Sequence, residues 1–246
     1  MLTPELDCTI ARRLLVNYRV DPDVAAAQVP VPFRPQTVAG WAVAGVCFIA
    51  LRHLRPAGLP AALGFSSENV AHRFAVEWDD DDGRHVGVYV PRRNSGSRVI
   101  AWSGGRVFPG RHDLARFQVD DSGTDLHIEV ASRDGTVRLL VTLRTARDMT
   151  GELFSSVDQA IDFFRTAPVG YSPTHGAECF EGVRLLSERW DAEPASVSEM
   201  SSSLFDDVSL FPPGTCTLDS ALIMRDLPVR WASQGRLGPP SRVVAR

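Results

Sequence analysis

Lysine is absent from this sequence of 246 residues, and all 26 basic side chains are arginine. A Schiff base needs a primary amine, so no side chain here can form one, and enzymes that work through a catalytic lysine are excluded. An excess of positive charge is also lacking, because 30 acidic residues outweigh the arginines and give a formal net charge of −4. Binding to a phosphate backbone depends on such an excess, and we therefore expect no nucleic-acid partner.

Closely spaced metal ligands and long apolar segments are missing as well. The four cysteines form no CxxC pair, and the six histidines never approach metal-ligand spacing. We therefore predict reduced thiols in a cytoplasmic protein without a metal centre. The longest apolar stretch, residues 38–51, is shorter than the ~20 residues that span a bilayer, and the first residues show no signal pattern. No membrane partner is expected.

Period-two alternation dominates the sequence and predicts strands with one buried face. Apolar and polar residues alternate over 125–130 and over 137–144, and the turn signal Arg133-Asp134-Gly135 joins the two runs into a hairpin. A second hairpin is predicted from residues 69–78 and 84–90, with the acidic run 79–83 as a solvated turn rather than a calcium loop. Further strands are predicted at residues 12–20, 40–53, 114–119, 182–190 and 218–224.

The predicted helices are few and short. Asp21-Pro22 is a capping residue followed by proline, which predicts a helix through Gln28. Ser156 and Gln159 resemble a capping box before a helix over 157–165, and a third helix is predicted over 97–103. This pattern indicates an α+β fold, predominantly antiparallel β, built on one large sheet that is closed or cone-shaped. We expect a single domain over residues 1–234 and a frayed tail over 235–246.

The segment 91–113 stands out because it concentrates arginine beside glycine and a His-Asp pair. Its arginines are Arg92, Arg93, Arg98, Arg106 and Arg111. Guanidinium groups bind carboxylates through two parallel hydrogen bonds, so a pocket for an anionic ligand is one interpretation. The alternative is that these arginines form surface salt bridges with the many acidic residues of the chain.

The chain resembles the YqjF-like family of unknown function, which belongs to the acetoacetate decarboxylase-like superfamily. The resemblance covers nearly the whole length. The segments that carry it are 67–73 (SENVAHR), 87–93 (GVYVPRR), 104–110 (GGRVFPG), 171–174 (YSPT), 203–207 (SLFDD) and 218–222 (LDSAL). The resemblance implies a cone-like antiparallel β-barrel with a deep interior pocket, which agrees with the strand-rich pattern.

The resemblance also implies where the site lies. In the decarboxylase a lysine pair follows a Gly-x-Pro turn, and here the segment after Phe108-Pro109-Gly110 places His112 and Asp113 near those positions. Glu68 matches the pocket glutamate of the enzyme. Histidine cannot form an imine, although it can move protons near neutral pH. Because side chains alternate along a strand, His112 and Asp113 are expected on opposite sides, so at most one lines the pocket.

Two functions are compatible with these residues. The first is a lyase-like or isomerase-like enzyme without covalent catalysis, in which Glu68 and either His112 or Asp113 act as acid and base on a small carbonyl or carboxylate compound. Arg93 or Arg106 would hold a carboxylate or developing enolate, and Arg92 and Tyr89 are further substrate-binding candidates. The second is a non-catalytic module that binds a small molecule or has a structural role. No cofactor is expected, and a second copy of the chain stays open as a partner.

Overall fold

The fold is taken from a computed structural model, which describes residues 5–103, 110, 112–174 and 179–238. Thirteen strands and three α-helices lie in these ranges, with one short 3-10 helix at Ala61–Leu63. The strands are β1 Leu6–Val20, β2 Arg34–Pro35, β3 Thr37–Val38, β4 Trp41–Pro56, β5 Phe65–Asp80, β6 Gly83–Ser95, β7 His112–Asp121, β8 Asp125–Ser132, β9 Arg138–Thr145, β10 Val169–Pro173, β11 Phe180–Leu186, β12 Glu193–Ser202 and β13 Cys216–Leu237. The helices are α1 Pro22–Ala26, α2 Arg98–Ser103 and α3 Val157–Thr166.

The sheet closes into a ring. Neighbouring pairs run from β6 through β7, β8, β9, β12, β13, β1, β4 and β5, and β5 pairs with β6 again. The long strand β13 pairs with β12 near its beginning and with β11 near its end, so β10 and β11 form a second connection between β6 and β13. Most pairs are antiparallel, but β6 pairs in parallel with both β7 and β10. The predicted α+β fold with one large closed sheet is confirmed.

Two hydrophobic cores lie on the two faces of the shared strands. On β1, Leu14 packs into the first core and its neighbour Leu15 into the second, and both are fully buried. The second core also contains Cys47 of β4 and is covered by Phe164 of α3. Successive side chains of β1 and β4 point to opposite faces of the sheet, and a core covers each face. Both faces of these strands are therefore buried, which explains their nearly continuous apolar sequences.

The local predictions for helices and hairpins are confirmed. The Asp21 carboxylate accepts hydrogen bonds from two backbone N–H groups at the start of α1, and the Ser156 hydroxyl caps α3. Both predicted hairpins form, as β5–β6 and β8–β9, and the acidic run makes the turn of the first. No helix in the described ranges has the length and apolar character needed to cross a membrane.

The C-terminal part of the sheet differs from the prediction. β13 continues to Leu237, so the expected tail cannot begin at Gly235, because residues 235–237 pair with β11. β11 ends at Leu186 rather than at residue 190, and β10 and β12 had no counterpart among the predicted strands. These segments carry weak alternation and are held by pairing with strands that are distant in sequence.

Candidate functional site

A small cavity lies where β4, β5, β6 and β7 face β11 and β13. Its volume is about 100 Å³, and most of its wall is apolar. Five polar residues also line it: Asn69, Arg93, Asn94, His112 and Ser233. An apolar cavity with a few convergent polar groups is the usual form of a small-molecule site.

Arg93 places a cation in this cavity. Its Nε donates a hydrogen bond to the Ser172 hydroxyl at 3.0 Å, whereas its buried Nη2 has no hydrogen-bond partner. Burial lowers the pKa of the guanidinium to about 10, so the group stays charged at neutral pH. No carboxylate in the described ranges forms an ion pair with Arg93. A buried charge without a counter-charge is costly, and an anionic ligand would remove that cost.

His112 lies beside Arg93, because the two residues are partners in the parallel pairing of β6 and β7. Its Nδ1 is 3.2 Å from the carbonyl oxygen of Gly110. A carbonyl can only accept, so Nδ1 carries the proton and Nε2 presents a lone pair. Burial, together with the charge of Arg93, lowers the pKa of His112 to about 3. The imidazole is therefore a neutral hydrogen-bond acceptor next to a cation.

Asp113 and Arg92 lie together on the other side of these strands. Their side chains form an ion pair at 3.2 Å, and Arg92 also contacts Asp134 at 2.6 Å. The expectation that His112 and Asp113 point to opposite sides is confirmed, and His112 is the one that lines the cavity. Arg92 therefore forms salt bridges with acidic residues, which was the alternative interpretation of the arginine-rich segment. Arg93 forms no salt bridge with a described residue.

Glu68 lines a different, open cleft. It accepts a hydrogen bond from Arg12 at 2.8 Å, and Arg12 also contacts Asp121 at 3.1 Å. Burial raises the pKa of Glu68, although the charge of Arg12 opposes this shift. Glu68 precedes the cavity-lining Asn69 on β5 and so points to the opposite face, which separates it from His112. The structure thus does not bring the two predicted acid–base groups together.

Tyr89, another predicted ligand-binding residue, does not line the cavity. Tyr89 is 8% exposed and belongs to the first core, where its ring packs 5.8 Å from Phe33. Arg106 lies outside the described residues, as does Arg111. Among the residues that the structure describes, no group of three His, Cys, Asp or Glu side chains could hold a metal ion.

The sequence patterns did not indicate the other residues that line the cavity. Cys47 of β4 lines it, and so do Trp231 and Ser233 of β13. A second buried arginine, Arg73, is 4% exposed and lies 4.5 Å over the Phe164 ring. The sequence feature that could have indicated some of these residues was period-two alternation. It places Asn69, Ala71 and Arg73 on one face of β5.

Comparison with known proteins identifies a family and a fold. The family model of DUF2071, described as an uncharacterized conserved protein, matches residues 8–219. A search of the curated proteins finds no match.

Several solved structures share the fold over nearly the whole chain. An acetoacetate decarboxylase from Legionella pneumophila has a TM-score of 0.61 at 12% identity, covering 96% of this chain and 87% of that one. An acetoacetate decarboxylase-like enzyme from Sphingomonas wittichii RW1 has a TM-score of 0.60 at 14% identity, covering 96% and 93%. The enduracididine biosynthesis enzyme MppR, complexed with pyruvate, has a TM-score of 0.59 at 13% identity, covering 97% and 91%. At these identities the likeness shows the fold alone.

Proposed function

The chain belongs to the DUF2071 family of uncharacterized conserved proteins, and we propose that it binds a small carbonyl-bearing carboxylate in the cavity beside Arg93 and moves a proton on it without a Schiff base. The observation that carries the proposal is Arg93, which lines a cavity of about 100 Å³ and whose buried Nη2 has no hydrogen-bond partner. MppR, a fold relative, was solved with pyruvate, which belongs to the proposed ligand class.

Arg93 binds the carboxylate of the ligand in this proposal. Its Nη2 donates to a carboxylate oxygen while its Nε stays with Ser172, so the existing hydrogen bond holds the guanidinium in place. Hydrogen bonds between charged partners are roughly twice as strong as neutral ones. Ser233 lines the same cavity, and its hydroxyl provides a donor for the carbonyl oxygen of the ligand.

His112 supplies the proton acceptor. The Gly110 carbonyl holds Nδ1–H, so Nε2 is the basic nitrogen of the ring. The carboxylate offsets the charge of Arg93, one of the two causes that depress the pKa of His112, so the ring becomes more basic when the ligand is bound. Proton abstraction next to the carbonyl gives an enolate, whose charge lies near Arg93 and the Ser233 hydroxyl.

Binding is tested with pyruvate and its neutral analogue pyruvamide by isothermal titration. We expect pyruvate to bind more tightly than pyruvamide, and Arg93→Gln to weaken pyruvate binding by at least about tenfold, because a charge-assisted hydrogen bond is lost. Arg92→Gln is the matched control, since Arg92 is the next residue but pairs with Asp113 and Asp134 outside the cavity. Equal pyruvate affinity in the wild type and Arg93→Gln would refute the proposal.

Proton transfer is tested by exchange of the methyl protons of pyruvate with deuterium in D2O. We expect the wild type to accelerate exchange and His112→Asn to lose the acceleration, with pyruvate binding retained. Glu68→Gln should keep the acceleration, because Glu68 lies in the other cleft. Binding without any acceleration would instead favour the non-catalytic module, which the mostly apolar wall of the cavity also suits.

A further inference from the structure

A cysteine belongs to the same cross-strand row as the two polar groups of the cavity. Cys47 of β4 is paired with Ala71 of β5, Ala71 with Arg93 of β6, and Arg93 with His112 of β7. Cross-strand partners place their side chains on the same face of a sheet. Cys47, Ala71, Arg93 and His112 all line the cavity.

The cavity extends along this row from Cys47 to Arg93. Adjacent strands lie about 4.8 Å apart, so the backbones of Cys47 and Arg93 are separated by roughly 10 Å. Ala71, which lies between them in the row, contributes only a methyl group. A ligand of a few atoms that lies over Ala71 with its carboxylate on Arg93 therefore presents its next carbon toward the sulfur of Cys47.

Two buried cations surround Cys47. Both Arg73 and Arg93 interact electrostatically with Cys47. Arg73 is 4% exposed, and its Nε and Nη1 have no hydrogen-bond partner. Neither arginine forms an ion pair with an acidic side chain in the part of the chain that the structure describes. Two guanidinium groups without counter-charges therefore lie within electrostatic range of the thiol.

We propose that Cys47 is the nucleophile of this cavity and adds to the carbonyl carbon of the carboxylate ligand. The inference rests on the proposed function, because Arg93 must first hold the ligand. A sulfur electron pair forms the C–S bond, the C=O π electrons move to oxygen, and the thiol proton is transferred to that oxygen through His112. The product is a thiohemiketal, and the addition needs no oxidant or reductant. A covalent adduct is thus available to a chain that has no lysine.

Alkylation tests the thiol and its orientation toward Arg93. Iodoacetate and iodoacetamide have nearly the same size, and only iodoacetate carries a carboxylate. We expect iodoacetate to label Cys47 at least about tenfold faster than iodoacetamide, because Arg93 binds the carboxylate of the reagent. Peptide mass mapping provides the readout, and Cys179, which lies outside the cavity, should show no such preference. Arg93→Gln should remove the preference, and pyruvate should protect Cys47 alone.

Carbon NMR with pyruvate labelled at the carbonyl carbon tests the adduct itself. We expect a protein-bound tetrahedral carbon signal with the wild type that is absent with Cys47→Ser, while free pyruvate hydrate appears in both samples. If Cys47→Ser binds pyruvate equally and both samples show only the ketone, Cys47 is not the nucleophile and the proposed binding site still stands. If the wild type neither binds pyruvate nor prefers iodoacetate, the proposed function itself fails, and the role of Cys47 fails with it.

Discussion

Burial fixes the protonation state of His112. Its pKa falls from the ordinary 6.5 to about 3, because the ring is enclosed and faces the charge of Arg93. The unfolded chain therefore binds a proton at this residue between those two pH values, whereas the folded chain does not. The resulting contribution to stability is complete above pH 6.5 and is lost as the pH falls toward 3. Without a bound ligand, the His112 ring stays neutral throughout the physiological pH range.

A bound carboxylate should raise the pKa of His112. The negative charge offsets Arg93, so an imidazole NMR titration should shift upward by about one unit or more at saturating pyruvate. Arg93→Gln provides the control, since removing the cation should raise the pKa of the free protein, and pyruvate should add little further change. Identical titration curves for the wild type with and without pyruvate would show that no anion binds beside His112.

At the scale of the strands, the sequence predicts local elements better than the pairing between them. Alternation in residues 125–130 and 137–144 was sufficient for the β8–β9 hairpin, because its two strands are joined by a short turn. The parallel pairing of Arg93 with His112 has no local signal, since the two strands are not joined by a short turn. The sequence therefore predicted His112 as a site residue through its family resemblance, whereas Cys47 stayed an ordinary buried thiol.

The row across four strands also explains why the cavity exists. Ala71 has the smallest side chain of the row, between Cys47 and Arg93, and its β-carbon lines the wall. A larger residue at this position would occupy the space proposed for the ligand.

Ala71→Leu should abolish pyruvate binding while the protein stays folded. The added atoms enter existing space, so we expect only a small change in the free energy of unfolding, measured by urea denaturation. The matched control is Ala75→Leu on the same face of β5, where Ala75 is 1% exposed and does not line the cavity. Overpacking should cost about 1–3 kcal/mol there. Tight pyruvate binding by Ala71→Leu would place the ligand elsewhere.

For the molecule as a whole, ring closure joins the two cores into one structure. β1 pairs with β4 on one edge and with the late strand β13 on the other, and its two faces contribute to different cores. The cavity lies at the second core, but Arg93 and His112 are positioned by strands that also form the wall of the first. Loss of either core should therefore disturb the site.

Leu14→Ala and Leu15→Ala test this coupling with adjacent residues of the same type. Both leucines are fully buried, one in each core. We expect each substitution to lower the free energy of unfolding by about 2–5 kcal/mol and to leave one cooperative transition. Circular dichroism and tryptophan fluorescence should give the same midpoint for each variant, because the strands of the ring are shared. Two separate transitions in Leu15→Ala, with only the lower one displaced from the wild-type midpoint, would mean that the cores unfold independently and that the second core alone determines the stability of the site.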